Sequence, residues 1–232
     1  DWRLAPGPVD SSIDGKIHRS IQDLTDSNYE YSVDQLTFWL KEAIKGWRSQ
    51  FKDTPENLIP DLDSVDIITH SAGGLPVRTY IQDVDAYGKS FTFNDNGTSI
   101  TTNLPNVHNL ITLGVPYRGD SKVWNFLNND FDGASIYRFL GQIIRAAYNN
   151  VKNGNTIKLS GDPNVVGAIT QQEVNQLGPI GFIKEYIPTL KALLGTYPFV
   201  DDLSDSSQTL KTVEQYDNKE KNTFLLDLNN GL

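Results

Sequence analysis

The feature that most restricts the fold of this chain is a short strand-like run that passes through a serine- and glycine-containing turn into a helix. Residues 65–69 (VDIIT) are rich in β-branched side chains and predict a buried strand. The turn, residues 70–74, reads HSAGG, and residues 75–82 predict a helix. Because strand, turn and helix form the unit from which parallel sheets are built, this segment predicts an α/β fold.

The turn holds a candidate nucleophile, Ser71. A serine hydroxyl is a weak nucleophile unless it is exposed, held in a strained position and paired with a base. The residues two before and two after it, Thr69 and Gly73, are expected to be small because the turn brings their backbones close together, although glycine is usual where Thr69 stands. The N–H of Ala72, at the helix N-terminus, is the candidate oxyanion donor. The alternative is a serine at an ordinary strand–helix turn, where Gly73 and Gly74 allow tight packing.

A second helix is predicted ahead of this unit. Ser32 and Gln35 fit a capping box, in which the serine side chain accepts from a free backbone N–H and the glutamine reaches back to the serine. Apolar residues then recur at three- and four-residue steps: Val33, Leu36, Leu40, Ile44 and Trp47. This stripe predicts a helix that packs against a sheet.

After the helix at 75–82, the sequence continues the alternation. A small hairpin is expected around Asn96 and Gly97. Residues 107–113 predict a second buried strand, which a Gly-Val-Pro turn closes. We therefore expect residues 1–232 to form part of a single α/β domain with a mostly parallel sheet.

Residues 120–222 have a different texture and predict a helical insertion. Helices are expected over 122–150 and 180–194, and the next strand is expected only at 224–226. The second helix carries a broad apolar stripe and a predicted kink at Pro188. This stripe is typical of core packing; the alternative is a lid or an acyl-binding wall, since long insertions in compact domains often serve as lids.

Several segments of the chain resemble lecithin:cholesterol acyltransferase-like enzymes and the lipases that deacylate glycosylphosphatidylinositol anchors. They are residues 1–6 (DWRLAP), 69–78 (THSAGGLPVR), 110–119 (LITLGVPYRG), 193–200 and 225–232. In the third segment the usual form is Thr-Pro-His-Arg-Gly, where this chain has Val115 and Tyr117. The resemblance implies an α/β-hydrolase fold and an acyl-ester substrate, expected to be lipid-like, that Ser71 attacks to form an acyl-enzyme without a cofactor.

A catalytic base is harder to assign. In the fold that the resemblance implies, the triad runs nucleophile, acid, histidine, yet the last of the three histidines is His108. His70 adjoins Ser71, and successive side chains at a strand end point apart. If the two strands are parallel neighbours, His108 lies about 16 Å down the sheet from Ser71. His18 precedes the serine and is an unconventional alternative. We expect the acid and the histidine to come from the remainder of a longer parent chain.

Acidic residues offer other candidates. Asp201, Asp202 and Asp227 stay open as a catalytic acid within the chain, with no spacing that favours one of them. Asp201 and Asp202, with Asp205 nearby, could bind calcium, but they are more typical of an acidic surface loop. The Asn-Asp-Asn-Gly stretch at 94–97 lacks the later glutamate of a calcium loop and predicts a turn. We expect no metal.

Charge restricts the partners. The chain carries 20 Lys plus Arg against 29 Asp plus Glu, a formal net charge of −9. This balance argues against nucleic acid and against electrostatic docking on anionic membranes, but not against an apolar substrate or a transient contact with a lipid surface. Without cysteine, a disulfide or a thiolate metal site is impossible. The composition suits an extracytoplasmic or secreted protein.

Three functions compete at this point. The sequence favours a serine hydrolase or acyltransferase that acts on a carboxylic ester. The alternative is a non-catalytic domain of the same fold, used for binding or surface interaction, because a usable histidine is missing and fold does not imply function. A peptidase or another acyl-transfer enzyme is also compatible with the turn at Ser71.

Overall fold

The computed structural model describes residues 4–9, 12–18, 30–51, 53–95, 97–133, 135–155, 169–207, 209–217 and 220–230. In chain order its helices and strands are α1 (Ser32–Arg48), β1 (Ser64–His70), α2 (Gly74–Gln82), β2 (Ser90–Asp95), β3 (Thr98–Asn103), β4 (Asn106–Leu113), α3 (Lys122–Leu127), α4 (Ser135–Lys152), α5 (Gln171–Tyr186), α6 (Pro188–Ala192), α7 (Val213–Tyr216) and α8 (Thr223–Asn230). Mixed helices with a small parallel sheet confirm the α/β class. The Asp-Trp-Arg stretch at residues 1–3 lies outside the described residues.

The start of α1 differs from the predicted capping box. The helix begins at Ser32 itself, so its third residue is Asp34 rather than Gln35. The Asp34 carboxylate accepts hydrogen bonds from the backbone N–H groups of Glu30 (3.0 Å) and Tyr31 (2.8 Å). The positive end of the helix dipole also stabilises the negative charge of Asp34, so Asp34 rather than Gln35 takes the capping role. The Ser32 hydroxyl instead donates to the carbonyl of Leu4 (3.2 Å).

Strands β1 and β4 pair in parallel, as the two sequence runs predicted. Thr69 lies opposite Thr112 and His70 opposite Leu113, so both strands end at the same edge of the sheet. Parallel strands cannot be joined by a tight turn, and here α2 and the β2–β3 hairpin make the connection. The turn that follows β1 therefore lies beside the turn that follows β4.

The two faces of this sheet are covered unequally. On one face, Val65 and Val107 pack against a buried cluster formed by α1, α2 and the hairpin connection. On the other face, Ile68, Ile111 and Leu113 are 69%, 51% and 53% exposed. Among the described residues, neither β1 nor β4 pairs with a further strand. Parallel sheets are usually covered on both faces, whereas these three apolar side chains of the second face are exposed.

The predicted hairpin is confirmed as β2 and β3, which pair in antiparallel register. Asn96 lies outside the described residues, and Gly97 has the positive φ of 87° that such a turn requires. The Asn94 side chain accepts a hydrogen bond from the Gly97 N–H (2.8 Å), as in a turn rather than a calcium loop. The hairpin packs on α1, where Lys41 Nζ lies 5.4 Å from the centre of the Phe91 ring.

The predicted helix over 122–150 is two helices, α3 and α4. The turn between them contains two residues with positive φ, Asn129 at 62° and Gly133 at 129°. Asn and Gly are the residues that adopt this conformation most easily, so together they end one helix and redirect the chain into the next. The prediction of one helix passed over this break, although residues 128–133 (NNDFDG) hold the Asn, Asp and Gly that favour turns.

The predicted helix over 180–194 also differs in its bounds. Helix α5 begins earlier, after a capping box in which the Thr170 hydroxyl and the Glu173 carboxylate satisfy each other's backbone N–H. It is interrupted at Gly178, whose φ is 65°. Pro188 occupies the first turn of α6, where a missing N–H costs nothing, and so begins a helix instead of kinking one.

The helical segment, residues 120–222, has a buried core of its own in its described part. Its members are Val123, Phe126, Leu127, Phe131, Ile144, Val151, Ile169, Val174, Phe182, Ile183, Ile187, Leu190, Leu194, Val200 and Val213. The stripe expected on the helices near 180–194 supplies Ile183, Ile187 and Leu190 to this core. Core packing is therefore confirmed as one role of the stripe.

The strand predicted at 224–226 is wrong, because these residues lie in helix α8. Phe224, Leu225 and Leu228 are buried on one side of the helix, against Leu75. The Asn222 side chain accepts a hydrogen bond from the Leu225 N–H (3.1 Å), as a helix cap does. A three-residue apolar run fits a strand or a helix equally well, and only the cap distinguishes the two.

Replacing Tyr80 by phenylalanine should destabilise the domain. Tyr80 is fully buried and its hydroxyl donates to the carbonyl of Pro105 (2.7 Å), and burial raises the pKa of this hydroxyl. We expect Tyr80→Phe to lower the free energy of unfolding by about 1–2 kcal/mol in urea titrations, because a buried carbonyl loses its donor. The control Tyr216→Phe, at a ring that is 50% exposed, should have almost no effect. Equal losses in the two variants would contradict this role of Tyr80.

Candidate active site

Ser71 lies at a sharp turn between β1 and α2. It directly follows the last residue of the strand and opens a short 3₁₀ turn, Ser71–Gly73, that runs into α2. Its φ is 53°, in the left-handed region that costs an L-residue about 1–2 kcal/mol. A serine with a strained backbone between a strand and a helix meets the geometric requirement of a nucleophile elbow.

The steric requirement at this turn falls on Gly74 and not on Gly73. A Cβ atom added to Gly74 would lie 2.4 Å from one methyl carbon of Val115 and 2.6 Å from the other. A Cβ added to Gly73 would meet nothing within 4 Å. The expectation that position 73 must hold a small residue is therefore wrong. The loop after β4 approaches Gly74, through Val115, and does not approach Gly73. Thr69, two residues before Ser71, is buried. Among the described residues its hydroxyl has no hydrogen-bond partner.

Two matched substitutions test this packing. Gly74→Ala should lower the free energy of unfolding by about 1–3 kcal/mol, because the new methyl group overlaps Val115 and forces the loop or the helix to move. Gly73→Ala should leave stability unchanged or raise it by up to about 1 kcal/mol, because its φ of −62° suits alanine. Urea unfolding of both variants measures the difference, and a larger loss for Gly73→Ala would overturn the assignment.

Ser71 opens onto a cavity of about 470 Å³. The elbow contributes Ser71, Ala72, Gly73 and Pro76, and the segment ahead of α1 contributes Leu4 and Pro6. The remaining lining comes mainly from the helical segment and the loop that leads into it: Pro116, Asp120, Val123, Phe126, Tyr137, Leu140, Thr189, Leu190 and Leu193, with Ser32 from α1. Most of this surface is apolar, and the volume lies within the range of small-molecule sites.

The carbonyl of Leu4 ties three parts of the cavity wall together. It accepts hydrogen bonds from the hydroxyl of Ser32 on α1 and from the hydroxyl of Thr189 on α6. The N–H groups of Ser32 and Val33 bond to the carbonyls of Ala5 and Pro6. These hydrogen bonds connect α6 of the helical segment to α1 at the cavity. They therefore help to hold the apolar side chains of the segment close to Ser71.

The loop after β4 is held by Arg78. This buried guanidinium lies 4.6 Å from the centre of the Tyr117 ring and donates to the Asn229 side chain (2.9 Å) and to the Leu228 carbonyl. The Asn229 amide in turn donates to the Tyr117 carbonyl (2.6 Å). Burial lowers the pKa of Arg78, which nevertheless stays charged. Tyr117, one of the two departures from the resembling segment, thus serves as a packing surface for Arg78.

The structure places none of the three histidines against Ser71. His108 lies near the start of β4, where its Nδ1 is 3.2 Å from Asp66 Oδ1, as the parallel register predicted. His18 follows Ile17, which bridges to Asp83 just beyond the far end of α2, a helix about 13 Å long. His70 is exposed at the end of β1 and does not line the cavity.

The three candidate acids are also placed elsewhere. Asp227 is buried on α8, and its carboxylate accepts from the Gly15 N–H (2.8 Å), where it ties down the loop at 12–18. Asp202 pairs with Lys211 and Asp201 is exposed. The acidic residue that does line the cavity is Asp120, which sequence analysis missed. Asp120 is brought there by a backbone bridge to Leu194, a distant contact that no local pattern reveals.

The acidic loop that was considered as a calcium site holds a lysine side chain instead. Lys211 Nζ lies 2.8 Å from Asp202 Oδ2 and 2.9 Å from Asp205 Oδ2, where a cation would have to bind. The hydrogen bonds from Lys211 and from the Ser207 N–H lower the pKa of Asp205 to about 2. Among the described residues there is no group of three or more His, Asp or Glu side chains that could hold a metal ion.

Removing this lysine should raise the pKa of Asp205. A lowered carboxylate pKa means that the ion pair stabilises the folded chain above the ordinary pKa of 3.8 and that this contribution is lost as the pH falls towards 2. In Lys211→Met we expect the pKa of the Asp205 carboxyl, followed in an NMR pH series, to rise towards its ordinary value of 3.8 but to stay below it, because the hydrogen bonds from Ser207 remain. The control Lys89→Met, at an exposed lysine, should leave the pKa of Asp205 low. An unchanged titration in Lys211→Met would contradict the pairing.

Comparisons of the chain with protein-family models, with curated proteins and with solved structures find no match. In the part of the chain that the structure describes, none of the helices combines the length and the apolarity that a bilayer-spanning segment requires. Any inference about function must therefore be drawn from the geometry around Ser71.

Proposed function

We propose that this chain is part of a serine hydrolase of the α/β-hydrolase fold that cleaves, or transfers the acyl group of, a lipid-like carboxylic ester. The observation that carries the proposal is Ser71, held at a φ of 53° between a parallel strand and a helix and opening onto a mostly apolar cavity of about 470 Å³. A structural serine has no need of a strained backbone, whereas a nucleophile gains exposure from it.

Each group near Ser71 has a defined role in this reaction. The Ser71 hydroxyl attacks the acyl carbon and gives its proton to a histidine, while the Ala72 N–H helps to hold the negative charge on the carbonyl oxygen. The tetrahedral intermediate then expels the alcohol, which takes up that proton, and leaves the acyl group on Ser71. Water completes hydrolysis, or a second alcohol completes transfer. No metal or organic cofactor takes part.

The histidine and its acid come, in this proposal, from the remainder of the parent chain. Two observations support this. First, His18, His70 and His108 all lie away from the cavity. Second, the face of the β1–β4 pair that carries Ile68 and Ile111 is bare, and among the described residues no strand covers either edge. Further strands and helices on that sheet would bury these side chains, and loops at its carboxyl edge would lie next to Ser71.

The helical segment acts as the lid and acyl-binding wall of the site. Helices α3, α4 and α6 supply Val123, Leu140 and Leu190 to the cavity. On the outer side of α4, Phe139 is 58% exposed and Ile143 is 47% exposed. Because Leu140 and Ile143 are neighbours on one helix flank, an apolar strip runs from the cavity to the surface. We propose that this strip makes the transient contact with a lipid surface.

A non-catalytic binding domain is the second candidate. The same placement of the histidines favours it, since a serine without a base is a poor nucleophile. Such a domain would use the cavity to hold an apolar ligand and would leave Ser71 unreactive. The two candidates therefore differ in one property, the reactivity of Ser71 in the intact protein.

An activity-based probe separates the two candidates. We expect a fluorophosphonate to label Ser71 in the intact protein, with the adduct mapped by mass spectrometry. Ser71→Ala should lower ester turnover by roughly 10⁶-fold, because the nucleophile is removed. The control Ser99→Ala, on the hairpin, should label and turn over like the wild type. Turnover retained in a folded Ser71→Ala protein, or no labelling of the folded wild type, would overturn the hydrolase proposal.

A further inference from the structure

A second hollow lies next to the Ser71 cavity, on the outer side of the helical segment. Its volume is about 190 Å³, and its lining consists of Lys122, Asn125, Phe126, Asp132, Gly133 and Tyr137. Four of these residues, Lys122, Asn125, Asp132 and Gly133, are exposed. These exposed residues border the hollow, but most of its lining surface is apolar, as in the Ser71 cavity.

Two aromatic rings separate the hollow from the Ser71 cavity. Phe126 and Tyr137 line both spaces, and their ring centroids are 5.1 Å apart. Phe126 is only 5% exposed and stacks on Phe131, whose ring lies 5.1 Å away at an angle of 10°. Lys122 Nζ lies 5.0 Å from the centre of the Tyr137 ring. Phe131 and Lys122 thus hold the two rings in place as a partition.

The chemistry of the cavity favours a neutral apolar chain as its occupant. Val123, Leu140 and Leu193 present hydrocarbon surface, and the carboxylate of Asp120 disfavours an anionic group beside them. Burying a methylene group strengthens binding by about 0.8 kcal/mol, which is roughly fourfold in affinity. This gain continues with each added methylene only until the end of the chain meets a wall.

We propose that Phe126 and Tyr137 are the residues that set the longest acyl chain this protein accepts. The inference rests on the proposed function, in which the acyl group occupies the Ser71 cavity. Chains that fit within the cavity gain affinity with each carbon, and longer chains end against the two rings. Removing a ring joins the cavity to the outer hollow, so that a longer chain extends through the partition towards Lys122 and Asp132.

The test is a binding series that needs no turnover. Ser71→Ala in the intact protein is titrated calorimetrically with fatty-acid methyl esters, neutral probes from butanoate to tetradecanoate. We expect affinity to rise about fourfold per methylene up to a limiting length and then to stop rising. Adding Phe126→Leu or Phe126→Ala should move this limit to longer esters, and adding Phe126→Trp should move it to shorter ones. The three substitutions keep the inference testable even if the alanine variant fails to fold.

A matched control separates the partition from general loosening of the helical segment. Phe182 is 4% exposed in the same core but lines a different hollow of about 210 Å³, beside Tyr148 and Ile183. Phe182→Ala should therefore leave the limiting length unchanged. The inference is overturned if folded Phe126 variants keep the wild-type limit, if Phe182→Ala moves it equally, or if no ester binds. A length limit that moves as expected, in a protein whose Ser71 resists the fluorophosphonate, would support the partition and reject the hydrolase.

Discussion

The parallel pairing of β1 with β4 is the constraint on which the candidate site depends. It brings the carboxyl ends of two strands to the same edge, so the turn at Ser71 and the loop at 114–119 become neighbours. Val115 then packs directly on Gly74, and the same loop leads Pro116 and Asp120 into the cavity wall. A shift in this register would move Ser71 away from the loop at 114–119 and from Asp120, even if every helix and strand still formed.

The elements with strong local signals could be predicted from the sequence. The β-branched run at 65–69 favours a strand in most surroundings, and the serine- and glycine-containing segment after it favours a sharp turn into a helix. The Asn-Gly pair within residues 94–97 specified a hairpin through its own backbone preferences. In each case the deciding interactions lie within a few residues of one another, which is the range over which a sequence pattern carries information.

The elements that were mistaken depend on distant contacts. Residues 224–226 are apolar enough for a strand, but Asn222 begins a helix there, and its amide also bonds to the carbonyls of Ala192 and Leu194. Spacing around Ser71 pointed to Gly73, yet only the tertiary approach of Val115 shows that Gly74 is the crowded position. Short apolar runs and neighbouring glycines do not encode which partner will reach them.

The left-handed backbone of Ser71 has a consequence for how this position would change under selection. An L-residue at a φ of 53° costs about 1–2 kcal/mol that glycine would largely avoid. Random substitution with selection for stability alone would therefore move position 71 towards glycine or asparagine. In a lineage that keeps serine there, the hydroxyl rather than the backbone is what selection preserves.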